Sequence, residues 1–325
     1  MEILIMDYRP RGIHHVTAIA GDPQRNLDFY TGLLGLRLVK RTVNFDDPGT
    51  YHLYYGDEEG RPGTIMTFFP WLGAPRGSLG AGQIGTTAFS VPEGSLPFWE
   101  RRIREAGLPV EGPKTRFGEE VLTLADPDGL RLELVAHEGA ADLPPWHDGP
   151  VSPDFSLRAF HGVTLIEQSL EATAEVLTGS LGFEETEASG AQHRFEAPDG
   201  GPASRVDIVV MPDQPMGRIA AGSVHHVAFR IAGDEEQSRW RTEAMAKGLH
   251  ITPVKDRNYF HSVYFREPGG VLFEIATDPP GFAIDESVGE LGSTLKLPEW
   301  LESQREILDA QLPELVLPSA EAVAP

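Results

Sequence analysis

The stretches Ile13-His14-His15-Val16-Thr17 and Val224-His225-His226-Val227-Ala228 lie near opposite ends of the chain, and Glu274 follows the second pair by 48 positions (274 − 226). Each stretch is short and flanks its histidines with apolar residues. Each therefore reads as a β-strand whose neighbouring side chains leave on opposite faces. One histidine of each pair then faces inward. Two inward imidazoles and one carboxylate suffice for a metal site, and three protein ligands leave other positions on the metal open.

Working outward from these strands, one pattern recurs four times: a strand, a helix, then three strands. In the first copy residues 13–18 form the strand and Asp22-Pro23 opens a helix as N-cap and first residue. Gly35 ends that helix, and residues 36–39, 51–55 and 64–69 supply the other strands. The second copy starts with a strand at 86–91, has its helix at 96–106 before Gly107, and closes at 130–135 after Asp126-Pro127-Asp128-Gly129. The third starts at Phe160-His161-Gly162-Val163-Thr164, ends its helix near Gly182, and closes at 205–210 after Pro198-Asp199-Gly200-Gly201. The fourth starts at Val224, runs its helix over 234–247 to Gly248, and closes at 271–275 after Pro268-Gly269-Gly270. Turn signals before the last strand in three copies support the repeat. The organisation expected is α+β, with βαβββ modules at 11–71, 83–137, 158–212 and 222–278. Residues 138–157 read as a linker, and 279–325 as a capping helix (295–315) with a loose tail.

The copies can be compared with one another. Setting His14-His15-Val16-Thr17 over His161-Gly162-Val163-Thr164 gives an offset of 147, which Gly35 and Gly182 share. Setting Ala88-Phe89 under Ala228-Phe229 puts Thr86 opposite His226. In that phase the copies read His15, Thr86, Gly162 and His226, so only the first and fourth carry a ligand. Anchoring the last strands on Gly63 and Gly270 sets Thr67 over Glu274. A site between modules 1 and 4 is then built from His15, His226 and Glu274, with Thr67 where a fourth ligand could have stood. His14 and His225 are expected to pack on the other face or to orient the ligand strands. Which member of each pair binds stays open, as does a pairing in which His161 replaces His15. Glu133, with no histidine in its own copy, reads as structural or as an ion-pair partner.

Composition limits the alternatives. At 325 residues the chain suits two domains of ordinary size, and 40% hydrophobic and 23% charged residues suit a soluble globular protein. It has no cysteine, which excludes disulfides, zinc-thiolate sites and a thiol nucleophile, and leaves His, Asp and Glu as metal ligands. A net charge of −22 repels nucleic acid and anionic membranes. The start at Met1 to Asp7 lacks a basic segment and an apolar run, so a cytoplasmic location is expected.

Four βαβββ units resemble the vicinal oxygen chelate superfamily, in which such units pair into two cupped mixed sheets, and which includes glyoxalase I, bleomycin-resistance proteins and extradiol dioxygenases. The resemblance spans roughly residues 11–278. A facial His, His, Glu set with open positions is the arrangement of non-haem Fe(II) oxygenases, with Mn(II) the second candidate metal. Ring cleavage also needs groups to manage phenolic protons. The segment before Glu274 offers Tyr264 and His261 for that work, and Arg257 to hold a developing anion.

Further residues narrow the resemblance. His14-His15-Val16-Thr17, Val39-Lys40-Arg41-Thr42-Val43-Asn44-Phe45, Tyr51-His52-Leu53-Tyr54-Tyr55-Gly56-Asp57, Pro62-Gly63-Thr64 and Phe68-Phe69-Pro70 are similar to the hydroquinone-cleaving branch, the chlorohydroquinone 1,2-dioxygenases and their bacillary relatives. The resemblance implies metal ligands from the first and fourth modules, matching His15, His226 and Glu274, and an active-site tyrosine at Tyr264. His52 lies in a family-like segment without an assigned role. The expected function is Fe(II)-dependent, extradiol-type cleavage of hydroquinone-like diols with O2, in a protein that could self-associate. The competing readings are a glyoxalase-type lyase or isomerase, which normally closes its metal with four protein ligands, and a metal-free small-molecule binder.

Overall fold

Sixteen strands form among the described residues and make two eight-stranded mixed sheets. The computed structural model describes residues 8–198 and 201–318. The expectations for Met1 to Asp7, for Asp199-Gly200 in the third turn and for the end of the tail lie outside them. The strands are β1 (Ile13–Ala20), β2 (Arg37–Asn44), β3 (Asp47–Gly56), β4 (Ile65–Pro70), β5 (Gln83–Pro92), β6 (Val110–Arg116), β7 (Glu119–Ala125) and β8 (Arg131–His137). They continue with β9 (Phe160–Glu167), β10 (Glu184–Ser189), β11 (Gln192–Glu196), β12 (Arg205–Val210), β13 (Ser223–Ile231), β14 (Lys255–Asp256), β15 (Phe260–Arg266) and β16 (Leu272–Pro280).

One sheet runs β14-β15-β16-β13-β1-β4-β3-β2 and the other β10-β11-β12-β9-β5-β8-β7-β6. The first and last quarters of the chain thus share a sheet, and the middle two share the other. At each junction the leading strands pair antiparallel, β1 with β13 and β5 with β9, which relates the two halves of each sheet by a local twofold axis. These central strands are almost wholly buried, as expected where helices cover one face and a cavity or second layer covers the other.

The helices are α1 (Pro23–Leu27), α2 (Leu96–Glu105), α3 (Glu171–Gly179), α4 (Asp234–Ala246) and α5 (Arg305–Gln311). Asp22 caps α1 by accepting from the Arg25 N–H at 2.8 Å, with Pro23 at the first position. The helix then widens into a π-turn over Asp28–Leu33 rather than continuing regularly to Gly35. In this wider turn the consecutive rings of Phe29 and Tyr30 are both buried, Tyr30 lying 4.6 Å from Phe68 and 5.3 Å from Tyr55. In place of one long capping helix, the C-terminal segment forms a 3-10 turn over Glu299–Gln304 followed by α5, with Leu301, Leu308 and Leu312 buried. Among the described residues no helix is long and apolar enough to cross a membrane.

Candidate metal centre and its cavity

The register of four strands brings the predicted residues together. β1 pairs with β13 so that His15 lies beside Ala228 and Thr17 beside His226. β16 sets Glu274 beside Ala228, and β4 sets Thr67 beside Thr17. Residues side by side in neighbouring strands share a face of the sheet. Two adjacent rows therefore cross that face: Glu274, Ala228, His15 and, next to it, His226, Thr17, Thr67. The twofold axis between β1 and β13 exchanges His15 with His226 and Glu274 with Thr67.

His15, His226 and Glu274 are buried and offer ligand atoms that all lie within 4.8 Å of one another. His226 Nε2 is 2.8 Å and His15 Nε2 3.4 Å from Glu274 Oε2, and the two Nε2 atoms are 3.4 Å apart. Despite these short distances, Glu274 Oε2 has no partner in hydrogen-bond geometry. A buried carboxylate oxygen without a hydrogen bond is costly. One beside two imidazole nitrogens fits a divalent cation, so this donor set passes the test for a metal. The other oxygen, Oε1, accepts from the Ser262 hydroxyl.

The leading histidines hold the following ones. His14 Nδ1 lies 2.9 Å from His15 Nδ1, and His225 Nδ1 lies 2.7 Å from His226 Nδ1. Strict alternation would send His14 and His225 to the opposite face. The register instead shifts at Ile13/His15 and Thr17/Ala18, and such bulges re-aim side chains. Each Nδ1 is thereby engaged and each Nε2 is left for the centre.

Burial alone would push Glu274 up, but His15 and His226 outweigh it and hold the carboxyl well below its ordinary range. Burial lowers His226 against the pull of Glu274. An ionised carboxylate and a neutral imidazole are the forms that bind metal.

A cavity of about 310 Å³ opens beside the cluster. Tyr264 and Arg257 form one wall. Tyr264 sits beside Glu274 in the β15/β16 register, with its ring 5.8 Å from that of His226. Arg257 Nε donates to Tyr264 Oη at 3.1 Å, while its Nη2 reaches Asp46 at 2.8 Å. Burial, reinforced by Glu274, raises the Tyr264 hydroxyl, so it stays a protonated phenol. His261 does not join them, which corrects the expectation for it. Three positions before Tyr264 on a strand, it leaves on the other face and bonds Asp234 through Nδ1 at 2.6 Å. His161 lies in the other sheet, 3.1 Å from Glu119.

Sequence reasoning missed the β2–β3 connection. Phe45 and Asp46 line the cavity although they are remote in sequence from β15, and Asp46 meets Arg257 because the open sheet curls until its two edges approach. Phe45 closes one of the family-like segments, but no local pattern marked Asp46. Trp300 of the C-terminal turn backs Phe45 at 5.6 Å.

Two curled βαβββ sheets, one carrying a His, His, Glu cluster beside an aromatic-lined cavity, define a class of metal-site proteins built from paired modules. The chain belongs to the Glyoxalase/Bleomycin resistance protein/Dioxygenase superfamily, whose family profile matches residues 12–134 and 159–275. It is 48% identical over 301 residues to "Putative ring-cleaving dioxygenase MhqO" of Bacillus subtilis (strain 168), covering 92% of this chain and 95% of that one. It is 34% identical over 308 residues to "Chlorohydroquinone/hydroquinone 1,2-dioxygenase" of Sphingobium indicum, covering 92% and 95%. Its fold matches the crystal structure of a "putative dioxygenase from Bacillus subtilis subsp. subtilis str. 168" with a TM-score of 0.92 at 45% identity, over 96% of this chain and 99% of that one. Glyoxalase I from Zea mays shares the fold, with a TM-score of 0.62 at 15% identity over 82% and 92%.

Proposed function

We propose that this protein is an Fe(II)-dependent, extradiol-type dioxygenase that opens hydroquinone-like aromatic diols with O2, and that His15, His226 and Glu274 hold the metal. The observation that carries the reading is the convergence of these three groups on one buried point, while the register position that mirrors Glu274 holds Thr67, too weak a ligand to complete a set of four. A glyoxalase-type lyase would call for a carboxylate there. The names of the curated relatives support the substrate class. The same nitrogen and oxygen donors accept Mn(II).

When bound, the metal acidifies a phenolic oxygen and brings the ring and O2 into one site. The chain's own residues do the rest. Tyr264 receives its hydrogen bond from Arg257 and keeps its own proton, so it can donate to an oxygen in the cavity. Arg257, held by Asp46, faces negative charge that grows as the ring opens. Phe69, Trp71, Phe260 and Leu272 flank the ring and displace water. Oxygen uptake by the Fe(II)-loaded protein against a panel of hydroquinones and catechols tests the reading. Uptake is expected with hydroquinones, and a protein that stays active after complete metal removal contradicts it.

A further inference from the structure

Glu274 belongs to the metal. Among the described residues, the other acidic and basic side chains that line the cavity are Asp46, Lys255 and Arg257, and they meet at one place. Arg257 Nη2 donates to Asp46 Oδ2 at 2.8 Å, and Lys255 Nζ lies 3.4 Å from Asp46 Oδ1. The side chains of Asp46 and Lys255 are 59% and 43% exposed, whereas that of Arg257 is 16% exposed. The group therefore marks the mouth of the cavity, and Arg257 is the first step inward.

The two cations come from one edge of the curled sheet. Lys255 lies on β14 and Arg257 two positions further on, a spacing that puts both side chains on one face. Lys255 stands beside Ser262 in the β14/β15 register, and the Ser262 hydroxyl supports Glu274, so this face is the one toward the cavity. Asp46 comes from the β2–β3 connection at the opposite edge, where Asn44 Oδ1 accepts its N–H at 3.0 Å. A polar row then leads inward. Arg257 bridges Asp46 and Tyr264 Oη, and Tyr264 stands beside Glu274. A ring with one oxygen at the metal end and a substituent pointing outward would pass along this row.

Two cations against one carboxylate leave a positive charge in excess at the mouth. The chain as a whole carries −22 and repels anions. A neutral diol has no use for such a pair, while an acidic one would need it. Exposed ion pairs add little to stability, so Asp46 can turn into water at small cost. Burial alone would push Asp46 up, but Arg257 and then Lys255 outweigh it and hold its carboxyl below the ordinary range. The place that Asp46 fills is thus one that two donors prepare for an ionised carboxylate.

We propose that Lys255 Nζ and Arg257 Nη2 form a subsite for a carboxylate on the ring's substituent, so that the preferred substrates are hydroquinones with an acidic side chain. Asp46 holds that place while the cavity is empty and gives it up to the substrate. This rests on the ring-cleaving reading above and names the substrate class within it. Phe69 and Trp71 can flank neutral and anionic rings alike, so discrimination falls to the two cations.

The test uses the Fe(II)-loaded full chain with 2,5-dihydroxyphenylacetate and its methyl ester, which share the hydroquinone ring and differ in charge. The kcat/KM for the acid should exceed that for the ester about tenfold, the worth of one hydrogen bond to a charged group. That excess should shrink as salt is raised. Lys255→Met, which keeps the stem and drops the charge, should bring the acid-to-ester ratio close to unity, and Lys255→Arg should restore it. Asp46→Asn should raise the ratio about threefold by removing the competing carboxylate. Calorimetric binding without oxygen should show the same ratios in Kd. Equal or weaker handling of the acid by the parent protein, or a ratio that Lys255→Met leaves unchanged, overturns the proposal. If the parent consumes no O2 with hydroquinone or with either probe, the ring-cleaving reading fails, and the Kd ratios still decide the subsite.

Discussion

Arg116 closes on Glu133 through two hydrogen bonds of 3.0 and 2.6 Å in the sheet that lacks paired histidines. By register Glu133 stands beside Ala88, and Ala88 beside Gly162, as Glu274, Ala228 and His15 stand in the other sheet. Thr86, Thr164 and Asp207 repeat the row of His226, Thr17 and Thr67. Gly162 and Thr86 thus replace the two histidines. Arg194 binds Asp207 at 2.8 and 3.0 Å. Two guanidinium groups supply the positive charge in this sheet that a metal would supply in the other.

The expected consequence is a stoichiometry of one metal per chain. Arg116→Ala should leave that number unchanged and destabilise the fold by about 3 kcal/mol, because it strands a buried carboxylate. Metal analysis and denaturant unfolding check both halves. A second metal equivalent would overturn this account of the middle modules.

His226→Ala and Glu274→Ala should each remove bound iron and abolish O2 uptake. His14→Ala leaves the three ligands in place but frees His15 Nδ1, and should weaken metal affinity about 10- to 100-fold. Equilibrium metal titration separates the two classes.

Tyr264→Phe should keep its iron and lose about 100-fold or more in kcat with hydroquinone, the cost of a missing proton donor. His261→Ala, on the opposite face of β15, should leave kcat unchanged. Steady-state kinetics on iron-matched samples decide, and equal losses in both would reject the role given to Tyr264.

Glu167 at the end of β9 feels the charge of Glu267, in the turn between β15 and β16. Burial, then Glu267, pushes its carboxyl up to about 8. A native value above the ordinary 4.5 means that the folded state holds the proton more tightly. This stabilisation is complete below about 4.5 and is lost as pH rises through about 8. Glu167→Gln should therefore gain stability relative to the parent at pH 9 and lose that advantage at pH 5, read from unfolding midpoints. An advantage independent of pH would contradict the shared burial of the two carboxyls.

The repeat made most of the site legible. Aligning the copies on Gly35 and Gly182, and on Gly63 and Gly270, set His15 and His226 in one phase and Thr67 opposite Glu274, and the strand registers agree. Two features did not follow from spacing. The bulges that turn His14 and His225 toward their neighbours depend on how β1 and β13 dock, which alternation within a single strand does not encode. Asp46 and Phe45 reach the cavity because the open sheet curls its edges together, a long-range arrangement that no local pattern carries. His261 was misassigned for the opposite reason: its distance from Tyr264 in sequence is short, but an odd step along a strand changes face.

The central claim is that three side chains hold one iron and leave room for a hydroquinone and O2 together. The most direct measurement is mass spectrometry of the ring-opened product formed by Fe(II)-loaded protein from hydroquinone under ¹⁸O2, with rapid borohydride quenching. The account predicts both labelled oxygen atoms in one product molecule. A product carrying one label or none, or oxidation of hydroquinone to quinone without ring opening, would contradict it.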